Sequence, residues 1–218
     1  MLTSSGISNR TIATALVDLT GKLPSQTKIG FVPIALNVEE GNKDWVVNQF
    51  LSLWRRGYNW IDIIDPTAAG VDWRKRLAAV DVIFPSGGNT FHLLDQVRKT
   101  GFDKWLAKNL KNKVYIGSSA STILVTPTIG VAGVDKIDPN LPGLKDLTGL
   151  GWVDFEVVVH VPSMISAKSA ENYAKKSKKR VYLFDDETAI KINGPKQEVV
   201  SEGVWQIFDN KHKEKGKL

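Results

Sequence analysis

Residues 114–121 read Val-Tyr-Ile-Gly-Ser-Ser-Ala-Ser, an apolar run that leads into small residues and then into a helix-compatible segment. This order predicts a strand that turns sharply into a helix. A serine at such a turn lies on strained backbone with its hydroxyl exposed, and the amide of the next residue can face a developing oxyanion. Ser119 is therefore a candidate nucleophile and Ala120 a candidate oxyanion donor. The alternative is an ordinary serine-rich turn.

The segments on either side alternate between strand-like and helix-like patterns. Strands are predicted at residues 28–36, 60–64, 80–85, 153–161 and 181–184, and helices at 44–57, 71–79, 91–110 with an interruption near 100–101, and 166–179. Residues 189–192 and 198–208, joined through Asn193-Gly194, predict a C-terminal β-hairpin. Repeated strand and helix units predict an α/β fold, a three-layer sandwich with a mostly parallel central sheet.

Length and composition restrict the class of protein. The 218 residues fit one α/β domain, which we expect to span residues 1–208, followed by a basic and disordered tail at 209–218. The chain contains no cysteine, which excludes disulfides, thiolate zinc sites and a cysteine nucleophile. Neither a secretory leader nor an apolar run near the ~20 residues of a membrane span is present, so a soluble, cytoplasmic protein is expected.

The formal net charge of +6 raises the question of nucleic-acid binding. Most of this charge lies in residues 175–180, of which five are Lys or Arg, and in the tail. Such runs are usually solvated surface, and residues 175–180 contain no aromatic side chain on which a base could stack. Nucleic-acid binding is therefore not expected as the main function. A nucleic-acid-associated protein stays as an alternative that would rest on this run alone.

A second loop of interest follows the strand predicted at residues 80–85. Ligands of open parallel sheets bind at the carboxyl ends of the strands, where this loop and the Ser119 turn both lie. Gly87 and Gly88 allow close backbone approach and can offer amide donors, and Asn89 is suited to cap the following helix. Simple turn chemistry is the alternative. Beside a serine turn, the better interpretation is that the loop supplies a second oxyanion donor.

A serine nucleophile needs a base, and the chain has three histidines. His212 lies in the lysine-rich tail, and His92 falls within the helix after the Gly-Gly loop. His160 ends the apolar strand of residues 153–161, at the same edge of the sheet as Ser119. A histidine at a strand end can be a hydrogen-bonded residue at the border of the core. We nevertheless predict His160 as the general base, because base and nucleophile need to meet only in space.

Several stretches together resemble the peptidase E family of serine peptidases. They are Gly-Gly-Asn-Thr-Phe-His-Leu-Leu at 87–94, Tyr-Ile-Gly-Ser-Ser-Ala-Ser at 115–121, Pro-Thr-Ile at 127–129, Asp-Pro at 138–139 and Val-Asp-Phe-Glu-Val-Val-Val-His at 153–160. Residues 2–6, Leu-Thr-Ser-Ser-Gly, and 185–190, Asp-Asp-Glu-Thr-Ala-Ile, are also similar. The resemblance thus extends over nearly the whole chain.

This resemblance implies a class I glutamine-amidotransferase-like fold and hydrolysis of short peptides with an N-terminal aspartate. It implies Ser119 as nucleophile, His160 as base, and the amides of Gly88 and Ala120 as the oxyanion hole. Gly87 and Asn89 are the expected substrate-binding residues. Neither a metal nor a cofactor is expected, the partners are small peptides, and the oligomeric state is left open.

The resemblance also implies an acid in the loop that follows the nucleophile. Asp135 is the best match, with a one-residue gap between this chain and the family pattern, and Asp138 beside Pro139 is the alternative. The acid of a triad holds the histidine in the correct tautomer and stabilises its charged form.

The sequence departs from the family pattern in two places. Ser121 stands where the family has glycine, and this feature favours the alternative of a catalytically inactive or non-peptidase binding protein of the same fold. No arginine follows His160 up to residue 179, although Lys168, Lys175 and Lys176 do. A lysine lacks the planar fork of arginine, so it would give only a moderate preference for an acidic first residue. The predicted function is a serine exopeptidase or dipeptidase that forms an acyl-enzyme.

Overall fold

The computed structural model describes residues 1–209 and the backbone of residues 213–217. The strands are β1 (Leu2–Thr3), β2 (Lys28–Val32), β3 (Trp60–Ile63), β4 (Val82–Pro85), β5 (Val114–Tyr115), β6 (Gly117–Ser118), β7 (Glu156–Val158), β8 (Val181–Phe184), β9 (Thr188–Asn193), β10 (Lys196–Ser201), β11 (Val204–Phe208) and β12 (Lys213–Lys217). The helices are α1 (Arg10–Thr20), α2 (Asp44–Arg55), α3 (Trp73–Ala78), α4 (Thr90–Thr100), α5 (Phe102–Asn109), α6 (Ala120–Leu124) and α7 (Ala167–Lys176).

The strand that precedes Ser119 connects two sheets. One sheet has the order β3-β2-β4-β5 and is entirely parallel. Another has the order β10-β9-β1-β6, in which β1 and β6 are parallel. Between β5 and β6 the Ile116 amide donates to the Ile83 carbonyl at 2.9 Å, and the Gly117 amide donates to the Met1 carbonyl at 2.9 Å. The predicted α/β fold with a parallel sheet is confirmed.

Side chains of successive strand residues enter two different apolar cores. Phe31 on β2 and Phe84 on β4 pack with residues of α1 and α2. Val32 and Ile83, their neighbours along the chain, pack with residues of α3 to α7. Because consecutive side chains of a strand point to opposite faces, the sheet is covered by apolar contacts on both sides. The strands therefore lie between two layers of helices.

The third sheet differs most from the sequence prediction. Its order is β12-β11-β8-β7, with β7 and β8 parallel. Residues 198–208 were expected as one strand, but β10 pairs with β9 and β11 pairs with β8, in different sheets. The break falls at Gly203, where an added Cβ would lie 2.1 Å from a carboxylate oxygen of Asp185. The chain turns around that carboxylate, which also accepts the Val204 amide at 2.6 Å.

The remaining boundaries are close to the predictions. Gly101, with φ 71°, ends α4 in a left-handed conformation and accounts for the interruption expected near residues 100–101. Helix α1 was not predicted. Residues 213–217 pair with β11 as β12. The tail residues 210–212 and 218 lie outside the described part of the chain, and disorder of the tail stays a prediction. The assignment of residues 1–208 to one domain stays a prediction. None of the helices described above is long and apolar enough to cross a membrane.

The structure accounts for Ser121 at the family's glycine position. This residue is fully buried in the first turn of α6. Its Oγ accepts a hydrogen bond from the Ser118 amide at 2.7 Å and donates to the Pro85 carbonyl at 2.6 Å. The hydroxyl therefore joins the turn before Ser119 to the end of β4.

Replacing Ser121 by alanine is expected to destabilise the fold by about 1–3 kcal/mol, because the buried Ser118 amide and Pro85 carbonyl lose this partner. Urea denaturation followed by circular dichroism measures the change. Ser86→Ala is the control, since the Ser86 hydroxyl is buried and has no hydrogen-bond partner within the residues described. Equal losses of stability in the two variants would contradict a structural role for the Ser121 hydroxyl.

Candidate active site

Ser119 lies in the sharp connection between β6 and α6. Its backbone has φ 51° and ψ −112°, a conformation that a non-glycine residue seldom adopts. Its carbonyl accepts the amides of Thr122 and Ile123 at 2.9 and 3.0 Å, so α6 starts at once. The close approach of β6 to α6 requires glycine at position 117, because a Cβ there would lie 2.7 Å from Thr122 Oγ1. The surrounding contacts thus hold Ser119 in a strained geometry.

His160 is placed next to Ser119 by the end of β7. Its Nε2 lies 2.9 Å from Ser119 Oγ, and its side chain is 16% exposed. The His160 backbone also has a positive φ of 57°. Its amide donates to Ser4 Oγ at 3.0 Å, and its carbonyl accepts the amides of Met164 and Ile165 at 2.9 and 3.1 Å. These contacts orient the ring toward the serine.

The other ring nitrogen of His160 faces Asp186. Its Nδ1 lies 2.5 Å from Asp186 Oδ1, which also accepts the hydroxyls of Ser4 and Ser5 at 2.7 and 2.8 Å. Asp186 Oδ2 accepts the Ser163 hydroxyl at 2.9 Å. Burial opposes ionisation of this carboxyl, but the hydrogen bonds from His160, Ser4 and Ser5 outweigh burial and hold its pKa well below the usual range. Asp186 is therefore a carboxylate.

The expected pairing of Asp135 with His160 is not formed. The Asp135 carboxylate accepts a hydrogen bond from the hydroxyl of Ser169 on α7 at 2.9 Å. Asp135 has a left-handed backbone with φ 52°, and its loop turns toward that helix. Asp138, the alternative, accepts the Thr90 amide at 2.8 Å. The carboxylate that pairs with His160 Nδ1 is instead that of Asp186, which the sequence analysis did not predict.

A signal for Asp186 exists in the sequence once the strand pairing is known. His160 comes two residues after β7 and Asp186 two residues after β8. These strands are parallel neighbours, with Val158 opposite Leu183. Residues just beyond the carboxyl ends of paired parallel strands meet at one edge of the sheet.

The Gly-Gly loop packs directly against the serine. A Cβ on Gly87 would lie 3.2 Å from the Cβ of Ser119. Gly88 has φ 122°, and a Cβ there would lie 2.4 Å from the Ala35 carbonyl oxygen, so this position requires glycine. Within residues 1–209 the amides of Gly88 and Ala120 form no hydrogen bond with another protein group. Both amides are thus available to a ligand.

Asn89 caps helix α4 and does not reach the cavity. Its Oδ1 accepts the His92 amide at 2.8 Å, and its Nδ2 donates to the Pro139 carbonyl at 2.9 Å. The side chain is fully buried. Of the two residues expected to bind substrate, Gly87 therefore borders the cavity and Asn89 supports the loop.

A cavity of about 380 Å³ opens beside Ser119. The residues that line it are Ser4, Ser5, Glu39, Trp45, Gln49, Gly87, Gly88, Ser118, Ser119, Ile137, Asp138, His160 and Met164. No lysine or arginine from the described part of the chain is among them, so Lys168, Lys175 and Lys176, the cations considered for an acidic first residue, do not line the cavity. His92 does not line it either, and His212 lies outside the described residues.

Comparison with known proteins gives the family. The sequence matches the model of peptidase family S51 over residues 1–200. The chain belongs to peptidase family S51. This peptidase is 32% identical over 158 residues to an uncharacterized peptidase of Pasteurella multocida, covering 71% of the chain and 74% of that protein. It is 26% identical over 178 residues to peptidase E of Streptomyces coelicolor, covering 81% of the chain and 68% of that protein.

Solved structures show the same fold for this peptidase. A candidate peptidase E of Listeria monocytogenes EGD-e has a TM-score of 0.78 at 24% identity, covering 92% of this chain and 96% of that chain. A peptidase from an acI-B1 Actinobacterium has a TM-score of 0.72 at 17% identity, covering 99% and 92%. The resemblance to the peptidase E family is confirmed.

The hydrogen bond between His160 Nδ1 and Asp186 predicts the tautomer of the neutral imidazole. The proton is expected on Nδ1, which leaves Nε2 as the acceptor that faces Ser119. Nitrogen-15 chemical shifts of His160, measured by NMR at mildly alkaline pH, report the tautomer. Asp186→Asn should change it, as an amide at this position favours the other tautomer. Asp135→Asn is the matched control, and a change there with none in Asp186→Asn would contradict the pairing.

Proposed function

We propose that this peptidase is a serine exopeptidase or dipeptidase that hydrolyses short peptides through an acyl-enzyme. The observation that carries the proposal is the continuous hydrogen-bonded chain from Ser119 Oγ through His160 to Asp186, at the border of a cavity. A serine, a histidine and a carboxylate in this order are the parts of a nucleophilic triad, whatever their order in the sequence.

In the proposed reaction Ser119 Oγ attacks the peptide carbonyl carbon and its proton passes to His160 Nε2. The C–N bond then breaks, and His160 returns the proton to the leaving amine. Water then gives a proton to His160 and attacks the ester carbonyl. The bond between this carbon and Ser119 Oγ breaks, and His160 returns the proton to Oγ as the product acid leaves. Asp186 stays ionised throughout and stabilises the charged imidazole, which agrees with the lowered pKa of its carboxyl.

The amides of Gly88 and Ala120 are proposed as the oxyanion hole. Their availability supports this role: Ala120 follows the serine directly, Gly88 lines the same cavity, and neither amide forms a hydrogen bond within the residues described. Donors that are held in place cost no reorganisation when charge develops on the carbonyl oxygen. Gly87 is proposed to contact the substrate beside them.

The geometry favours Asp186 over Asp135 and Asp138 as the acid of the proposed triad. Neither alternative hydrogen bonds to His160 in the structure. The alternative function, an inactive binding protein of the same fold, drew its support from Ser121. That residue fits the turn through its own two hydrogen bonds, so it no longer favours an inactive site.

Ser119→Ala and His160→Ala are each expected to lower kcat/KM for dipeptides by on the order of a thousandfold or more, and the double variant by no more than the single ones. The losses do not add because the two residues act as a unit. Hydrolysis followed by release of free amino acids measures the rates, and His92→Ala is the control histidine outside the cavity. Wild-type rates in a folded Ser119→Ala protein would contradict the assignment of the nucleophile.

The acid is tested by a matched pair of variants. Asp186→Asn is expected to lower kcat by on the order of a hundredfold or more, because the base loses its orientation and the partner of its charged form. Asp135→Asn, which removes the same charge from a residue bonded to Ser169, should leave kcat within about threefold of wild type. A larger loss of kcat in Asp135→Asn than in Asp186→Asn would instead assign the acid to Asp135, in the loop after the nucleophile.

A further inference from the structure

The cavity beside Ser119 carries two carboxylates that the proposed mechanism does not use. Glu39 and Asp138 both line it. Asp138 accepts the Thr90 amide at 2.8 Å through Oδ2 and forms no ion pair among the residues described. The Glu39 carboxylate forms neither a hydrogen bond nor an ion pair within the same part of the chain. Both side chains therefore have free acceptor capacity at the cavity.

A third acceptor lies in the same wall and is electrically neutral. Gln49 is only 7% exposed, and its Nε2 donates to Ser118 Oγ at 3.2 Å. Its buried Oε1 has no hydrogen-bond partner in the described structure. Buried polar atoms are nearly always paired, so a lone acceptor at a cavity points to a donor that the chain itself does not supply.

Asp138 is close enough to Glu39 to disfavour the ionised form of Glu39. Burial, and secondly the charge of Asp138, raise the pKa of Glu39 above its usual value, while Lys43 partly offsets them. Burial also raises the pKa of Asp138, against the hydrogen bond from Thr90 and the attraction of His160. A positively charged group beside these carboxylates would stabilise their ionised forms and lower their pKa values.

The protein's own cations do not fill this position. Lys43, the nearest in sequence to Glu39, directs its Nζ to the carbonyls of Glu40 and Gly41 at 3.0 and 3.1 Å. No lysine or arginine side chain from the described residues lines the cavity. A substrate carboxylate at the first residue would meet two carboxylates and no counter-charge, which is unfavourable at close range.

We propose that Glu39 and Asp138 form a subsite for an ammonium group of the substrate's first residue, so that this peptidase disfavours acidic first residues and, where the side chain supplies the ammonium, selects cationic ones. The subsite rests on the proposed function, because it assumes that the peptide's acyl side occupies the cavity beside Ser119. The ammonium can be the side chain of a first-position lysine or the free α-amino group of the peptide. Selection of an N-terminal aspartate, which the family resemblance implies, is not expected in this chain.

The substrate arm of the test compares matched dipeptides. We expect kcat/KM for Lys-Leu to exceed that for norleucyl-Leu by about tenfold, and Asn-Leu to exceed Asp-Leu by a similar factor, as for a charge that is partly screened. Equal rates for Lys-Leu and norleucyl-Leu, with loss of both on Nα-acetylation, would assign the ammonium to the α-amino group. Faster hydrolysis of Asp-Leu than of Asn-Leu would overturn the proposal.

The variant arm shows whether these carboxylates are responsible. Glu39→Gln and Asp138→Asn should each reduce the ratio of kcat/KM between Lys-Leu and Asp-Leu, and the double variant should reduce it by about tenfold or more. Glu40→Gln is the matched control, because it removes the same charge from the adjacent, exposed residue. If the α-amino group is the ammonium, the variants should instead slow Lys-Leu and norleucyl-Leu by the same factor. Wild-type rates for all free dipeptides, together with unchanged selectivity, in Glu39→Gln and in the double variant would overturn the proposal.

A binding measurement separates this proposal from the proposed function. Calorimetric titration of Ser119→Ala with Lys-Leu, norleucyl-Leu and Asp-Leu does not depend on turnover. Tighter binding of Lys-Leu and norleucyl-Leu than of Asp-Leu, with the difference abolished by Glu39→Gln, would support the subsite even if the wild-type protein hydrolysed none of them. Hydrolysis without any such difference in binding or rate would support the peptidase function and reject the subsite.

Discussion

The pairing of β1 with β6 is the contact on which the rest of the site depends. Thr3 donates its hydroxyl to the Gly117 carbonyl at 2.7 Å, and its carbonyl accepts the Thr122 hydroxyl at 2.7 Å and the Ser119 amide at 3.2 Å. Backbone strain at a non-glycine residue with positive φ persists only where neighbouring contacts compensate for it. Two short strands therefore hold Ser119 in a conformation that its local sequence disfavours.

The same strand also supplies the polar surroundings of His160. Ser4 and Ser5 follow β1 directly, and their hydroxyls reach the carboxylate of Asp186. Ser4 additionally accepts the His160 amide. A single pairing of strands thus positions the candidate nucleophile and, through adjacent residues, the candidate base and acid. The residues involved therefore come from the beginning, the middle and the end of the chain.

Two carboxyls near His160 have opposite pKa shifts, and their environments explain the difference. Asp186 receives hydrogen bonds from three serines and the imidazole, so its ionised form is stabilised despite partial burial. Among the described residues Asp138 is hydrogen-bonded to Thr90 alone, and it lies in a more buried position, so burial raises its pKa. Carboxyls whose environments separate their pKa values usually have different roles. Asp186 suits the orientation of a base, and Asp138 suits contact with a cationic group.

The sequence by itself determined the α/β class, because alternating apolar periods are local properties that a reader of the chain can recognise. It also placed Ser119 and His160 at strand ends, where the structure brings them together. The choice of Asp186 over Asp135 was decided only by the tertiary structure. Which carboxylate reaches His160 Nδ1 depends on the parallel pairing of β7 with β8, a long-range contact that no local period encodes. The split of residues 198–208 between two sheets was decided in the same way, since hydrogen bonds between distant strands assign each half to its neighbour.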